Sequence, residues 1–280
     1  MAEIEGGIDK MKGKKIVHLH IDSAYGREPL PAMRKICADW GTELVEISIP
    51  PPGLEQQSQW LQIRKEKPDW VTFWGAGSGM NSTAMTNAAR INFPRDRMMY
   101  VTFGAAEEDM YPAGDAAVGT YAVANALPGE YPLVKDIKTK VYGAGKGNLA
   151  DESRIGSVYW NRGLGAAVMW IEGLRNAQKM HNKVGKAVNG AEFRDGYEAI
   201  DMNEARMKEL GIDGMLAPFA ISCENHEGAG KFAVMQWDGE KFNQVTGWEA
   251  PLDPKFIRGL VETSAAKFAK ENNITPKKCG

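Results

Sequence analysis

Long apolar segments are absent from this sequence. No run of about 18 consecutive apolar residues occurs in it, so the sequence predicts no membrane-spanning helix. A secretory signal is also absent, because residues 1–7 do not show a positively charged start followed by an apolar stretch. We therefore expect either that a signal has been removed or that the chain begins within a longer protein.

An excess of charge of either sign is missing as well. The 34 Lys and Arg residues against 36 Asp and Glu residues give a formal net charge of −2. Nucleic acids and anionic membranes are usually bound through a strongly basic surface, so neither is an expected partner. With 280 residues, of which 43% are hydrophobic, the chain can form one large globular domain or two smaller ones.

Cysteine and histidine are scarce and poorly spaced for metal binding. Cys37, Cys223 and Cys279 form no CxxC pair, and Cys37 is expected to be a buried apolar residue of a helix. Composition leaves open whether the other two form a disulfide, which an oxidising compartment would allow. His18 and His20 could ligate a metal as an i, i+2 pair, but no third ligand lies nearby, so a structural role is favoured. We expect no metal site.

Motifs for phosphate binding and catalysis are missing too. The glycine-rich loop at residues 75–79 has Met80 where the GxGxxG pattern requires glycine, and it follows the third predicted strand instead of the first. Neither GxxxxGK[ST] nor GxSxG occurs, and no Ser-His-Asp arrangement can be argued from the scattered histidines. We therefore expect no cofactor and no enzymatic activity.

The first 125 residues alternate between β-rich and helical segments. The predicted strands span residues 15–21, 43–49, 69–74, 98–103 and 118–124, and the predicted helices span residues 28–40, 55–65 and 81–91. Strands separated by helices of this length predict parallel βαβ units with right-handed crossovers and helices on both faces of the sheet. The predicted fold class is therefore α/β.

The pattern changes after the turn at residues 128–132. Further helices are predicted at residues 133–142, 153–181, 188–200 and 254–271, and strands at residues 217–222 and 231–237. Asn189 is an expected helix cap, and Asp238-Gly239 predicts a hairpin that leads into residues 242–245. No internal repeat is visible.

Three loops follow predicted parallel strands, at residues 22–26, 75–79 and 103–107. In an open α/β sheet, ligands bind beyond the carboxyl ends of the strands, and glycines let the backbone approach a ligand closely. The predicted ligand-binding residues are Tyr25, Trp74, Ala76, Ser78, Phe103 and Ala105. Trp74 and Phe103 could equally be core residues at strand ends. The acidic residues 107–109 could receive a ligand ammonium or begin a helix, and the helix start is favoured.

The order of several short motifs points to a known family. They lie at residues 12–17, 22–29, 68–71, 74–75, 117–121, 223–228 and 236–241. Together they resemble the second lobe and tail of periplasmic solute-binding proteins of the leucine/isoleucine/valine-binding type, the type I substrate-binding proteins of ABC transporters. The resemblance covers essentially the whole chain but lacks the leading strands of the first lobe.

This resemblance implies a Venus-flytrap fold of the periplasmic binding protein-like type I, with parallel sheets flanked by helices and an incomplete first lobe. Residues 1–121 would form the second ligand-binding lobe, residues 122–216 the remaining part of the first lobe, and residues 217–280 a hinge crossing and the C-terminal segment. It also implies a disulfide between Cys223 and Cys279, a periplasmic location and an ABC-type membrane permease as partner.

The function implied by the resemblance is capture of a small organic solute between two lobes for delivery to that permease. Amino-acid binders of the family place an acidic residue after the fourth strand of this lobe, where this sequence has Gly104-Ala105-Ala106 and only then Glu107. The expected ligand is therefore a branched-chain or other apolar amino acid, or an aromatic or aliphatic carboxylate. A ligand-sensing regulatory module on the same fold is the alternative, and a small-molecule enzyme is less favoured.

Overall fold

A computed structural model describes the chain from Met1 to Cys279. Thr102, Lys277 and Gly280 lie outside the described residues, as does the side chain of Ser78. Within the described part of the chain, no helix is long and apolar enough to cross a membrane.

Two compact units make up the structure. Unit 1 comprises Met1–Ala124 and Ala233–Gly247, and unit 2 comprises Asn125–Phe232 and Trp248–Gly280. Each unit is therefore assembled from two separate stretches of the chain. The assignment of the chain to a second lobe, a first lobe and a hinge segment stays a prediction.

Strands and helices alternate regularly in the first part of the chain, and helices predominate after β5. The strands are β1 (Lys15–Ile21), β2 (Glu43–Ile49), β3 (Trp70–Trp74), β4 (Met98–Val101), β5 (Tyr121–Ala124), β6 (Asp201–Met202), β7 (Phe219–Ala220), β8 (Ala233–Trp237) and β9 (Phe242–Gln244). The helices are α1 (Ala2–Glu5), α2 (Ala24–Arg27), α3 (Leu30–Trp40), α4 (Gln57–Glu66), α5 (Ser78–Arg90), α6 (Glu107–Met110), α7 (Pro132–Ile137), α8 (Val158–Met180), α9 (Gly190–Tyr197), α10 (Glu204–Leu210) and α11 (Pro254–Glu271).

Unit 1 is built on a seven-stranded sheet. Its strand order is β2-β1-β3-β4-β5-β8-β9. The first five strands in this order run parallel. Strand β8 runs antiparallel to β5, and β9 runs antiparallel to β8. The predicted parallel βαβ architecture is confirmed, and so is the hairpin, which joins β8 to β9 through Asp238-Gly239.

The central strands of this sheet are buried on both faces. All five inner residues of β1 and the first four of β3 are buried, as expected for parallel strands covered by helices on either side. On one face, Ile16 and Trp70 pack with Cys37 of α3 in an apolar cluster. Cys37 is the buried apolar residue that its sequence context predicts, and burial raises the pKa of its thiol to about 11.

Unit 2 is mainly helical around a core rich in methionine and isoleucine. The core residues are Val168, Ile200, Met202, Met207, Ile212, Met215 and Ile221. Helices α8 and α9 approach each other closely at Gly196, where an added Cβ would lie 2.3 Å from the backbone nitrogen of Ala177. Asn189 caps α9 as predicted, because its side chain accepts the backbone N–H of Glu192 while the Glu192 carboxylate accepts the N–H of Asn189.

A disulfide fixes the end of unit 2. Cys223 and Cys279 are joined, with their Cα atoms 5.6 Å apart, in the pairing that the family resemblance implies. The bond closes a loop that contains all of α11, a helix with no buried residue. The cross-link therefore holds a segment that side-chain burial alone holds weakly.

Several element boundaries differ from the sequence expectation. Helix α5 begins at Ser78 and not at residue 81, because Gly77 takes a left-handed φ of 84° and lets the chain turn into the helix directly. Strand β4 ends at Val101, so Phe103 lies in a loop. Helix α8 begins at Val158, after Ser157, whose hydroxyl accepts the N–H of Trp160. Each boundary depends on local cap geometry that apolar periodicity does not reveal.

Candidate functional site

The candidate site lies at the carboxyl edge of the parallel strands of unit 1. Strand β3 lies between β1 and β4, and His20 of β1 is in register with Trp74, the last residue of β3. The predicted loops at residues 22–26, 75–79 and 103–107 directly follow the ends of these three neighbouring strands. Strand pairing therefore brings the three loops to one edge of the sheet, as the sequence predicts.

Three aromatic rings, one from each strand end or loop, meet at this edge. The ring centre of Tyr25 lies 5.8 Å from that of Trp74 and 5.8 Å from that of Phe103, the latter pair edge to face. These distances fall within the range of favourable aromatic pairs. We call Tyr25, Trp74 and Phe103 the edge aromatics. Phe103 is 44% exposed and the other two are half-buried, so the cluster presents ring surface and is not a closed core.

The loop after β1 owes its shape to a short capped turn. The hydroxyl of Ser23 accepts the backbone N–H of Gly26 at 3.1 Å, which starts α2 directly after the strand. Gly26 is required there, because an added Cβ would lie 1.8 Å from the carbonyl oxygen of Ile21. The turn projects Tyr25 towards Trp74, and Arg27 pairs with Asp22 beside it.

The loop after β3 exposes backbone more than side chains. Ala76, Gly77 and Gly79 are exposed, and no side chain caps the helix that begins after Gly77. The first N–H groups of an α-helix lack partners within the helix, so this turn supplies hydrogen-bond donors at the sheet edge. Beside it, the buried indole nitrogen of Trp74 has no hydrogen-bond partner among the residues that the structure describes.

The loop after β4 turns its acidic residues inwards. Glu107 is 8% exposed and Asp109 is fully buried, and both lie in α6, so the interpretation of residues 107–109 as a helix start is confirmed. Asn81 of α5 reaches this loop: its side-chain amide donates to the carbonyl of Phe103 and to the Asp109 carboxylate, the latter at 2.8 Å. Burial, and then the charge of Asp109, raise the pKa of the Tyr100 hydroxyl.

Two buried histidines lie beneath the edge aromatics. The rings of His18 and His20 stack with centres 5.5 Å apart, and the ring of His18 lies 6.4 Å from that of Trp74. His18 is 1% exposed, and its Nδ1 lies 2.8 Å from the hydroxyl oxygen of Thr72. Burial, followed by the nearby His20, lowers the pKa of His18 to about 4. No group of three or more metal-binding side chains occurs among the described residues.

The six predicted ligand-binding residues differ in their surroundings. Tyr25, Trp74 and Phe103 are brought into contact, and Ala76 is exposed beside them. The side chain of Ser78 lies outside the described residues. Ala105 is fully buried, so it supports the loop from beneath. The role of all six in ligand binding stays a prediction.

Asn81 is a residue that the sequence analysis did not single out as part of the site. It was placed at the start of a helix, and its contacts with Phe103 and Asp109 join positions 22 and 28 residues apart. The only sequence signal for Asn81 is a polar residue two positions after a glycine-rich loop. Such a residue is normally exposed, whereas Asn81 is fully buried.

The chain matches the model of one protein family over most of its length. Residues 5–242 match the family model described as "Periplasmic binding protein". No curated protein sequence is significantly similar to the chain.

Solved structures resemble the chain over most of its length. A protein described as an ABC transporter permease from the Pseudomonas fluorescens group is 38% identical, with a TM-score of 0.91. The match covers 100% of this chain and 66% of that protein. A branched-chain amino acid ABC transporter protein from Thermus thermophilus, solved with bound valine, is 19% identical, with a TM-score of 0.73. The match covers 92% of this chain and 65% of the Thermus thermophilus protein.

A third structure has a different ligand. An ABC transporter solute-binding protein from R. palustris, solved with benzoate, is 20% identical, with a TM-score of 0.62, and covers 85% of this chain and 60% of its own. The chain thus spans between 60% and 66% of the length of these three proteins. The two structures of lower identity show the shared fold alone.

Proposed function

The chain belongs to the periplasmic binding protein family, and from this premise we propose that it binds a small organic solute at the carboxyl edge of the unit 1 sheet and delivers it to an ABC-type permease. The observation that carries the proposal is the contact of Tyr25 with both Trp74 and Phe103 at that edge. Ring surface beside the backbone N–H groups of a helix start suits a small molecule with an apolar body and a polar end.

The proposed ligand is a branched-chain or other apolar amino acid, or an aromatic or aliphatic carboxylate. The edge aromatics supply an apolar wall, and the indole N–H of Trp74 is a donor that a ligand oxygen would satisfy. Relatives with bound valine and with benzoate represent the amino acid and the aromatic carboxylate. The inward turn of Glu107 and Asp109 favours ligands that lack an ammonium group.

We propose a transport role without catalysis, in the periplasm. The family is one of substrate-binding proteins, which supports binding as the whole activity of the site. The disulfide between Cys223 and Cys279 supports an exported location, because such bonds persist in oxidising compartments. The expected partner is an ABC-type permease, in accord with the ABC transporter descriptions of the similar structures.

A thermal-shift screen of the full-length protein tests this function. L-Valine, L-methionine, benzoate and hexanoate represent the four ligand classes. A ligand at 100 times its Kd stabilises the folded state by about 2.7 kcal/mol, which should raise the melting temperature by about 5 °C. We expect such a rise with at least one of the four, and a larger one with a carboxylate than with an amino acid. A cooperatively folded protein that responds to none of them would refute the proposed ligand classes.

A further inference from the structure

One buried side chain connects two of the three loops at the sheet edge. Asn81 lies in the first turn of α5, directly after the loop at residues 75–79, and is fully buried. Its amide nitrogen donates to the main-chain carbonyl of Phe103 and, at 2.8 Å, to the carboxylate of Asp109. The same group therefore holds an edge aromatic by its backbone and an acidic residue by its side chain.

Glycines on both loops make room for this amide. A Cβ added to Gly75 would lie 2.6 Å from the Asn81 amide oxygen, and one added to Gly104 would lie 3.3 Å from its amide carbon. Contacts closer than about 3 Å are not tolerated without a shift of one partner. The nearest atoms to the added Cβ are in the ring of Phe73, 2.3 Å from the one at Gly75, and in the ring of Tyr100, 2.8 Å from the one at Gly104. Both loops therefore pack closely against these rings and against Asn81.

A second buried asparagine on the same helix behaves differently. Asn87 is 4% exposed, and its amide donates at 2.9 Å to the carbonyl of Thr83 within α5 itself. Asn81 instead makes its contacts outside the helix, and its amide oxygen has no hydrogen-bond partner among the described residues. Leaving a buried acceptor unpaired is costly, so stability alone does not account for an asparagine at this position.

We propose that Asn81 is a positioning residue of the ligand site. It holds the backbone of Phe103 so that the ring meets Tyr25, and it binds Asp109 on the inner side, which keeps that carboxylate away from the aromatic wall. The expected effect of Asn81 on ligand binding rests on the proposed function. The contacts by which Asn81 connects the two loops are seen in the structure and do not depend on that function.

Hydrogen exchange tests the connection without any ligand. Peptides that cover residues 75–79 and 103–110 are compared between the wild type, Asn81→Ala, Asn81→Leu and the control Asn87→Ala. Leucine has the same branched arrangement of heavy atoms as asparagine with bulkier methyl ends, so it fills the position without donating a hydrogen bond and guards against collapse of the site. Loss of the two hydrogen bonds that the Asn81 amide donates should make these peptides exchange at least about five- to tenfold faster in both Asn81 variants. In Asn87→Ala their exchange should stay within about twofold of wild type.

Calorimetric titration with benzoate and with L-valine tests the effect on binding. For a probe that the wild type binds, both Asn81 variants should bind about tenfold more weakly, and Asn87→Ala within about twofold of wild type. Wild-type affinity in the Asn81 variants despite faster loop exchange would overturn the positioning role. If the wild type binds neither probe, the aromatic carboxylate and branched-chain amino acid classes fail, and the exchange comparison still decides whether Asn81 holds the loops. Unchanged exchange in both Asn81 variants would overturn the connection itself.

Discussion

Alanine at Trp74 is expected to weaken ligand binding more than about tenfold, and alanine at Tyr25 to do the same, because a buried aromatic anchor is often worth about 2 kcal/mol or more. Each substitution removes ring surface from the wall, and it also removes a partner 5.8 Å away that holds the other ring. Because the two rings are in contact and support each other, the double variant should lose less affinity than the product of the two single losses. Isothermal titration with the ligand identified by the screen measures all three affinities.

Trp40→Ala is the matched control for this experiment. Trp40 is a half-buried indole of the same unit, at the end of α3, where it packs on the apolar cluster that contains Ile16 and Trp70. It lies just before β2 begins and therefore at the opposite edge of the parallel sheet. Its loss should lower stability and leave affinity within about twofold. Unchanged affinity in both Tyr25→Ala and Trp74→Ala would remove these loops from the ligand site.

Acid is expected to destabilise the protein by about 3 kcal/mol between pH 6.5 and pH 4 through His18. Burial, and next the nearby His20, lower the pKa of His18 from 6.5 to about 4, against a smaller opposing effect of Glu46. Between these two values the unfolded chain binds a proton that the folded protein does not. The stability that neutral His18 contributes is therefore fully present above pH 6.5 and is lost as the pH falls towards 4. Each pH unit in this window costs about 1.4 kcal/mol.

Urea unfolding of wild type, His18→Gln and His226→Gln from pH 7 to pH 4 measures this effect. Glutamine at position 18 lowers stability at neutral pH, but it removes the titrating group, so the fall with acid should be smaller by about 1 kcal/mol per pH unit. His226, an exposed histidine of unit 2, provides a control for the loss of an imidazole outside the buried pair. Equal slopes for wild type and His18→Gln would show that His18 is not held in its neutral form.

The parallel sheet could be predicted from sequence because its signals are local. Strands β1 and β2 occupy the predicted residues, since each is a β-rich run closed by a turn, and α3 ends at residue 40 as predicted, where Gly41 takes a left-handed conformation. The short strand β6 and the helix α10 were not predicted. Asn203 and Gly211 cap that helix at its two ends, but its seven residues carry too little periodicity to stand out.

The candidate site could be predicted in outline but not in detail. Parallel topology alone brings the loops after β1, β3 and β4 to one edge, so the approach of Tyr25 to Trp74 follows from the order of strands. The burial of Ala105 and the inward turn of Asp109 could not be read from the sequence. They are set by tertiary packing, which includes the contacts of Asn81 with Phe103 and Asp109, residues distant from it along the chain.

A crystal structure of the protein with the ligand found in the screen is the most direct test of the central claim. The account predicts ligand atoms within about 4.5 Å of the rings of Tyr25 or Trp74, with polar ligand atoms facing the backbone of the loop at residues 75–79. A ligand bound away from all three loops, with the edge aromatics covered by other parts of the protein, would contradict it.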